Sequence, residues 1–401
     1  MTGMQNDKKK NKIDWIMIFI IIILVGFGLL MIYSASSYQG QTEKGSALWY
    51  VVNQIKAVAV GAAAMAVVAI IPYNIWNSIL SYAVFGICTI AVLLVLSPLG
   101  IEIYGARRWL DLKVTTVQPS EFLKVALILC MAYILYKKKD SLNTVKDFAL
   151  AMIPTFAAVL MVVVITEDLG TAMIIFGMGV VLAAIAVPEK KYIGGMILLL
   201  ILFGVIFILL KGNRIVRIKA WLNVEAYAND ESYQIMQAFY AIASGGWLGK
   251  GLGNGTQKLG YVPESENDMI FSIICEELGV VGGLCLLLLI GMLIWRMWLL
   301  YRDTEDMFGK LIVAGVMSHI SIQTFVNVGV VSGLLPNTGV PLPFISYGGT
   351  SIMMTLIEMG LVVSVARGAR YIKKKSPKTA REYEQTLKEH YAGGRREGIT
   401  H

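Results

Sequence analysis

Asp268, in the stretch "YVPESENDMIFSIICEELG", stands at the last polar position before a long apolar run. A carboxylate placed there can take a proton from a hydroxyl group. Helix N–H groups beyond it lower its pKa, whereas partial burial raises it. It also has a plainer use, because Ser265 and Asp268 carry the S-x-x-D spacing of a helix cap. Other ionisable residues fall inside apolar runs or at their edges. Glu121 and Lys124 in "QPSEFLKVAL" are one helical turn apart and can pair on one face. Asp168 in "TEDLGT" is placed to cap the next helix. Glu276 and Glu277 lie about two turns into one run, Glu358 lies in another, and His319 reads as a hydrogen-bonded packing histidine. Charge inside an apolar span is costly and marks paired or functional positions.

These groups have a common chemistry. One carboxylate, a basic set (Arg107, Arg108 and Lys124, with Arg214 and Arg217) and the uncharged stretch "GLLPNTGVPLPFISYGGTS" fall on one side of the apolar runs. Transfer of a sugar from a diphosphate needs a base for the acceptor hydroxyl and positive charge for the leaving group. On composition alone, a channel or transporter fits equally well.

The elements that position these residues are membrane helices. The chain has 401 residues, 56% hydrophobic and only 15% charged, against roughly 25% charged in soluble domains. Apolar runs of about 20 residues span a bilayer as helices. Ten are expected, near 14–33, 51–71, 79–97, 119–136, 148–166, 169–187, 192–210, 269–300, 309–331 and 346–366. The first follows "KKKNK", but its apolar part exceeds the core of a signal peptide and it reads as a retained span. With both termini inside, 23 of the 35 Lys and Arg residues lie on the cytoplasmic side, as the positive-inside rule requires. The net charge of +8 is therefore mainly an orientation signal rather than a nucleic-acid footprint. The four cysteines lie in apolar runs without CxxC spacing, so neither disulfide nor zinc is expected.

Two outer segments exceed simple connectors. One, 98–118, contains "YGARRWLDL". The other, 211–268, opens with "RIVRIKAWL", whose alternation suits a helix in the headgroup layer. Its "GGWLGKGLGNG" fails the Walker pattern and reads as a close-packed turn. In the 333–351 stretch, Pro336, Pro341 and Pro343 remove backbone donors while Gly333, Gly339, Gly348 and Gly349 admit unusual geometry. Irregular backbone near a membrane must lie against protein or water, so this stretch is expected to fold back and line a cavity.

"GARRWLDL…QPSEFLK", "DLGT", "YVPESENDMIFSIICEELG" and "GLLPNTGVPLPFISYGGTS", in this order, resemble the SEDS family of cell-shape, division and sporulation proteins (FtsW, RodA, SpoVE). "GGWLGKGLGNG" and "ARGAR" look more like the FtsW/SpoVE branch. The resemblance implies an all-α, polytopic peptidoglycan glycosyltransferase of the bacterial cytoplasmic membrane, polymerising lipid II into a nascent glycan strand on the outer face. It implies a membrane domain over 1–370 and a basic cytoplasmic tail over 371–401. Asp268 matches the family's essential outer-loop aspartate and is the expected catalytic base. Arg107, Arg108, Gln118, Glu121, Lys124, Asp168, Glu276, Ser346, Gly348 and Gly349 are the expected substrate-binding set. Two departures stand out: Asn267-Asp268-Met269 where the family often has Thr-Asp-Phe, and Glu167 where it often has Pro.

Direct displacement with a single base implies inversion at the anomeric carbon, with undecaprenyl diphosphate as leaving group. A divalent cation, Mg or Mn, could help neutralise that diphosphate, though no acidic cluster specifies one. A lipid II flippase is the alternative, since it needs the same architecture but no base. No Ser-x-x-Lys, Ser-Asp-Asn or Lys-Thr-Gly triplet of a transpeptidase occurs. A class B penicillin-binding protein is thus the implied partner, alongside other division proteins, with "GVVGG" at 279–283 as a candidate docking surface. No nucleic-acid partner is expected.

Overall fold

The computed structural model describes residues 14–368 apart from 104–105, 114–115, 143, 188, 190, 210–211 and 231. The expected cytoplasmic tail, 371–401, lies outside the described residues. Twelve α-helices are present among those described: α1 Trp15–Lys44, α2 Trp49–Ile70, α3 Leu80–Leu93, α4 Pro119–Lys137, α5 Val145–Ile165, α6 Leu169–Ala186, α7 Lys191–Leu209, α8 Gly212–Leu222, α9 Tyr233–Gly245, α10 Ile270–Asp303, α11 Met307–Val331 and α12 Gly349–Gly368. Eight of them (α1, α2, α4, α5, α6, α10, α11 and α12) are long and apolar enough to cross a bilayer. The other two expected spans coincide with the shorter apolar helix Leu80–Leu96, whose last turn is 3₁₀, and with α7.

α4 forms the axis of the bundle. It packs on α3, α5, α6 and α11, and every residue from Pro119 to Leu135 except Phe122 and Tyr133 is buried. A helix apolar on all sides belongs in such a position. Small residues set the spacing around it. A side chain at Gly315 of α11 would meet Ile128 of α4 at 2.6 Å, so the two helices approach at backbone distance.

The segment 98–118 departs from the all-helical expectation. It forms an antiparallel sheet in the order β1 (Gly100–Ile103), β2 (Ala106–Asp111), β3 (Thr116–Val117). β1 pairs with β2 from Gly100 opposite Leu110 to Ile103 opposite Ala106, with a bulge at Ile101/Glu102. The "ARRWLD" run alternates in the way a half-exposed ribbon requires.

At the opposite end of the bundle, Arg296 pairs with Asp14 at 2.6 Å, and Arg367 donates to the carbonyl of Ala69. The first described residue is thus held on α10 and the end of α12 on α2.

α10 is broken at Gly279, where φ is 71° and ψ −179°. The glycine-rich connection after α9 fills the break. Lys250 and Gly251 N–H groups donate to the carbonyls of Glu276 and Glu277, while Val280 and Val281 N–H groups donate to Gly246 and Trp247. The freed backbone groups on both sides of the break thus find partners, as lipid depth demands. Trp247 and Leu248 remain 73% and 82% exposed, which suits contact with lipid. A side chain at Gly279 would overlap the Trp247 carbonyl, in a region of backbone space nearly exclusive to glycine. Gly279→Ala is therefore expected to lower stability by about 3 kcal/mol, read as a drop in thermal midpoint of the purified protein. Gly291→Ala, on the same helix with nothing within 4 Å of the added carbon, should leave the midpoint unchanged.

Candidate active site

Two irregular segments meet beside the start of α10, and hydrogen bonds stitch them together. The Ser346 hydroxyl donates to the Asn267 carbonyl at 2.6 Å and accepts from Leu342 N–H at 2.7 Å. Tyr347 N–H donates to the Glu266 carbonyl. On α11, Asn327 donates to the carbonyls of both Asp268 and Val340, at 2.7 and 2.8 Å. One turn earlier, Gln323 donates to Pro341 O at 2.9 Å. Gln54 of α2 donates to Ser346 O and accepts from Gly348 N–H. Gly349 sits 3.7 Å from Ala57 by its missing side chain, and Gln118 N–H donates to Thr350. The 333–348 stretch thus folds back onto protein, and its irregular backbone is paired.

Asp268 lies between these segments and is 7% exposed. It is not a helix cap. The cap position is Met269, which makes no side-chain cap bond, while Ser265 turns away to donate to Ala35 O. Gln234 of α9 donates to Asp268 Oδ1 at 3.3 Å. Burial pushes the Asp268 carboxyl up to about 8, with Glu264 and Glu266 adding to the rise and backbone N–H groups opposing it. Glu266, also buried, is raised to about 7, chiefly by desolvation. Non-glycine residues take left-handed backbone on both sides of the site: Glu264 (φ 55°) and the buried Phe344 (φ 66°). Strain of this kind persists only where surrounding contacts enforce it.

Asp168 does cap α6, accepting from Thr171 N–H at 2.9 Å. Arg108 on β2 clamps the same turn, donating to the carbonyls of Thr166 and Glu167 and lying 3.7 Å from Asp168. Glu167 has φ 50°, which proline cannot adopt, so this turn differs in shape from one built on proline. A side chain at Gly170 would press on Val340 and Thr338, which places the turn against the 333–348 segment. Arg107 is exposed, opposite Glu102 in the sheet.

The remaining expected residues are held in internal networks. Lys124 pairs with Glu121 at 2.8 Å, both buried, and donates to Gln323 at 3.0 Å. His319 bridges Gln323 and Glu358 at 2.7 Å to each. Because Pro341 O fixes the Gln323 amide with its oxygen toward Lys124 and His319, His319 Nε2 must donate. Glu276 binds Lys250 at 2.6 Å and accepts from Thr256 and Gln257 N–H groups, and Glu277 holds Lys258 and Ser34. These two carboxylates anchor the glycine-rich loop.

Among the described residues no ion pair joins Arg107, Arg108 or Lys124 to Asp268, and no group of three His, Cys, Asp or Glu is arranged to hold a metal. Sequence reasoning passed over Gln54, Gln234, Gln323, Asn327 and Asn337. A signal existed for two of them: His319, Gln323 and Asn327 recur every four residues along an apolar helix, which places them on one stripe.

Together these features define a polytopic helical membrane protein whose non-helical segments enclose a buried aspartate at one end of the bundle. The chain matches the FtsW/RodA/SpoVE family, described as cell cycle proteins, over residues 14–371 and belongs to it. It is 34% identical over 369 residues to stage V sporulation protein E of Bacillus subtilis (strain 168), covering 90% of this chain and 99% of that one. It is also 34% identical to the probable peptidoglycan glycosyltransferase FtsW of the same organism, covering 92% of this chain and 94% of that protein. A solved peptidoglycan synthase complex, described as coordinating polymerization and crosslinking, contains a chain with TM-score 0.75 and 26% identity, covering 89% of this chain and 98% of that one. The rod shape determining protein RodA of Thermus thermophilus gives a TM-score of 0.64 at 26% identity, covering 88% of this chain and 96% of that one. The protein is a multi-pass protein of the bacterial cytoplasmic membrane.

The buried pair yields a prediction. Lys124→Met leaves Glu121 buried without its cation, which should cost about 3–5 kcal/mol. Combining it with Glu121→Gln should restore most of that stability, measured by thermal unfolding. If the double variant also polymerises glycan like wild type, neither residue serves the chemistry.

Proposed function

We propose that this chain is a peptidoglycan glycosyltransferase that polymerises lipid II at the outer membrane face, with Asp268 as the general base. The observation that carries the reading is a carboxylate 7% exposed, pushed up to about 8, and enclosed by two loops where backbone strain is concentrated. Raising the pKa of a carboxylate makes it a better proton acceptor near neutral pH. The relatives named as peptidoglycan glycosyltransferases over almost the whole chain support the same reaction class.

In the proposed step the acceptor GlcNAc hydroxyl passes its proton to Asp268 as its oxygen bonds to the donor's anomeric carbon. The bond from that carbon to undecaprenyl diphosphate breaks, and the diphosphate leaves with the electron pair. One base and one displacement give inversion. Arg107, exposed on β2, is proposed as a cation for the diphosphate, with Arg217 also exposed, and Arg108 shapes the adjoining turn. Lys124, neutralised by Glu121, acts at a distance by fixing Gln323 and through it the Pro341 segment. Mg or Mn remains a proposal that this step does not use.

Asp268→Asn is expected to leave the protein folded and to reduce polymerisation by about 10²–10⁴-fold. The sign of the stability effect is also defined. A carboxyl raised from 3.8 to about 8 on folding loses its stabilising advantage as pH rises through that window. The Asn variant should therefore match wild type near pH 4 and melt higher above pH 8. A folded Asn variant with near-normal activity would refute the base assignment.

We also propose a penicillin-binding transpeptidase as partner, consistent with the chain's similarity to part of a polymerising and crosslinking complex. The 279–283 glycines are not free for docking: Gly279 closes on Trp247, and Gly283 packs on Cys275 and Phe271. A groove lined by Gly291, Ile294, Trp295 and Trp298 of α10 with Met317 and Ser321 of α11 fits a single membrane helix better. Gly291→Leu, whose Cβ would meet nothing within 4 Å, should fill the groove and reduce co-purification of the transpeptidase by about tenfold, with the thermal midpoint measured alongside to confirm an intact fold. Undiminished co-purification would exclude this groove.

A further inference from the structure

We infer that Gln234 is a positioning residue for Asp268, holding Oδ1 so that Oδ2 is the oxygen offered to the acceptor's proton. The inference rests on Asp268 being the base. α9 delivers the Gln234 side chain to a point where three partners fix its amide. Nε2 donates to Pro263 O at 3.1 Å and to Asp268 Oδ1 at 3.3 Å, while Oε1 accepts from Asn337 Nδ2 at 2.7 Å. Reversing the amide would set oxygen against oxygen twice and nitrogen against nitrogen once. Asn337 is oriented in turn, because its Oδ1 accepts from Gly339 N–H at 3.3 Å.

The chain of bonds therefore runs from the 333–348 segment through α9 to the carboxylate. Among the described residues Gln234 is the one side chain that donates to the Asp268 carboxylate. Oδ2 lies instead beside Gly339, where even a methyl group would come within 3.7 Å. The absence of a side chain there keeps that oxygen approachable. From α9 the neutral amide of Gln234 meets the carboxylate; Asn327 of α11 holds the Asp268 main-chain carbonyl, Asn337 reaches it only through Gln234, and the backbone N–H groups of Asp268 and Met269 also act on the carboxylate. The neighbouring charges are Glu264 and Glu266 on its own segment.

A donor to the ionised form lowers a carboxylate's pKa, so the Gln234 contact, which aims Asp268, acts in the same direction as the backbone N–H groups of Asp268 and Met269. The test is the pH dependence of polymerisation by the purified full-length protein given lipid II. Gln234→Met, similar in size but unable to donate, should lower kcat about tenfold at neutral pH with little change in KM. It should also move the acidic limb up by about one pH unit, so that the loss shrinks in alkali. Asn337→Leu should act in the same direction more weakly, and it carries the test if Gln234→Met does not fold. A loss equal at every pH, or an unmoved limb, would overturn the assignment. The two readings fail separately: an active Asp268→Asn variant removes the base itself, whereas an inactive one beside an unmoved limb removes only the role of Gln234.

Discussion

Non-helical backbone inside a membrane bundle must find a partner for every polar group it exposes, and the candidate site is organised around that requirement. The 333–348 segment has three prolines and several glycines, so it cannot satisfy itself through helical bonds. Gln54, Gln323, Asn327 and Ser346 supply the missing partners. The amides that serve the backbone also fix where Asp268 sits, since Asn327 grips the carbonyl of Asp268 and that of Val340 together. Positioning Asp268 and burying the loop are thus one act of packing.

Charge obeys the same logic at greater depth. Glu121, Lys124, His319 and Glu358 are buried, and each lies in one chain of contacts with the others. Isolated, any of them would carry a large desolvation penalty. Joined through Gln323, they connect α4, α11 and α12 and end on Pro341 O. The bundle's polar core is therefore mechanically continuous with the loop beside Asp268.

The helical frame was legible in the sequence because long apolar runs admit one solution in lipid, and eight of the expected spans fall on helices long and apolar enough to cross a bilayer. The pair Glu121/Lys124 and the cap at Asp168 followed from local spacing alone. The cap reading of Asp268 did not hold, because Ser265 found a distant carbonyl on α1, which local spacing does not encode. The sheet over 100–117 was missed because its strands are short and flanked by helix. Gln234 and Asn337 are separated by more than a hundred residues, so only the folded arrangement joins them to the carboxylate. The partners of Glu276, brought by the glycine-rich loop, were likewise not encoded in local spacing.

The break in α10 ties two stretches of chain into one unit. Its carbonyls at 276 and 277 and its amides at 280 and 281 take their partners from the 246–251 segment, and Lys250 and Lys258 reach the side chains of Glu276 and Glu277. Neither stretch can leave the other without stranding buried polar groups. The start of α10, which follows Asp268, is therefore clamped to the loop behind it as a splint is bound to a limb.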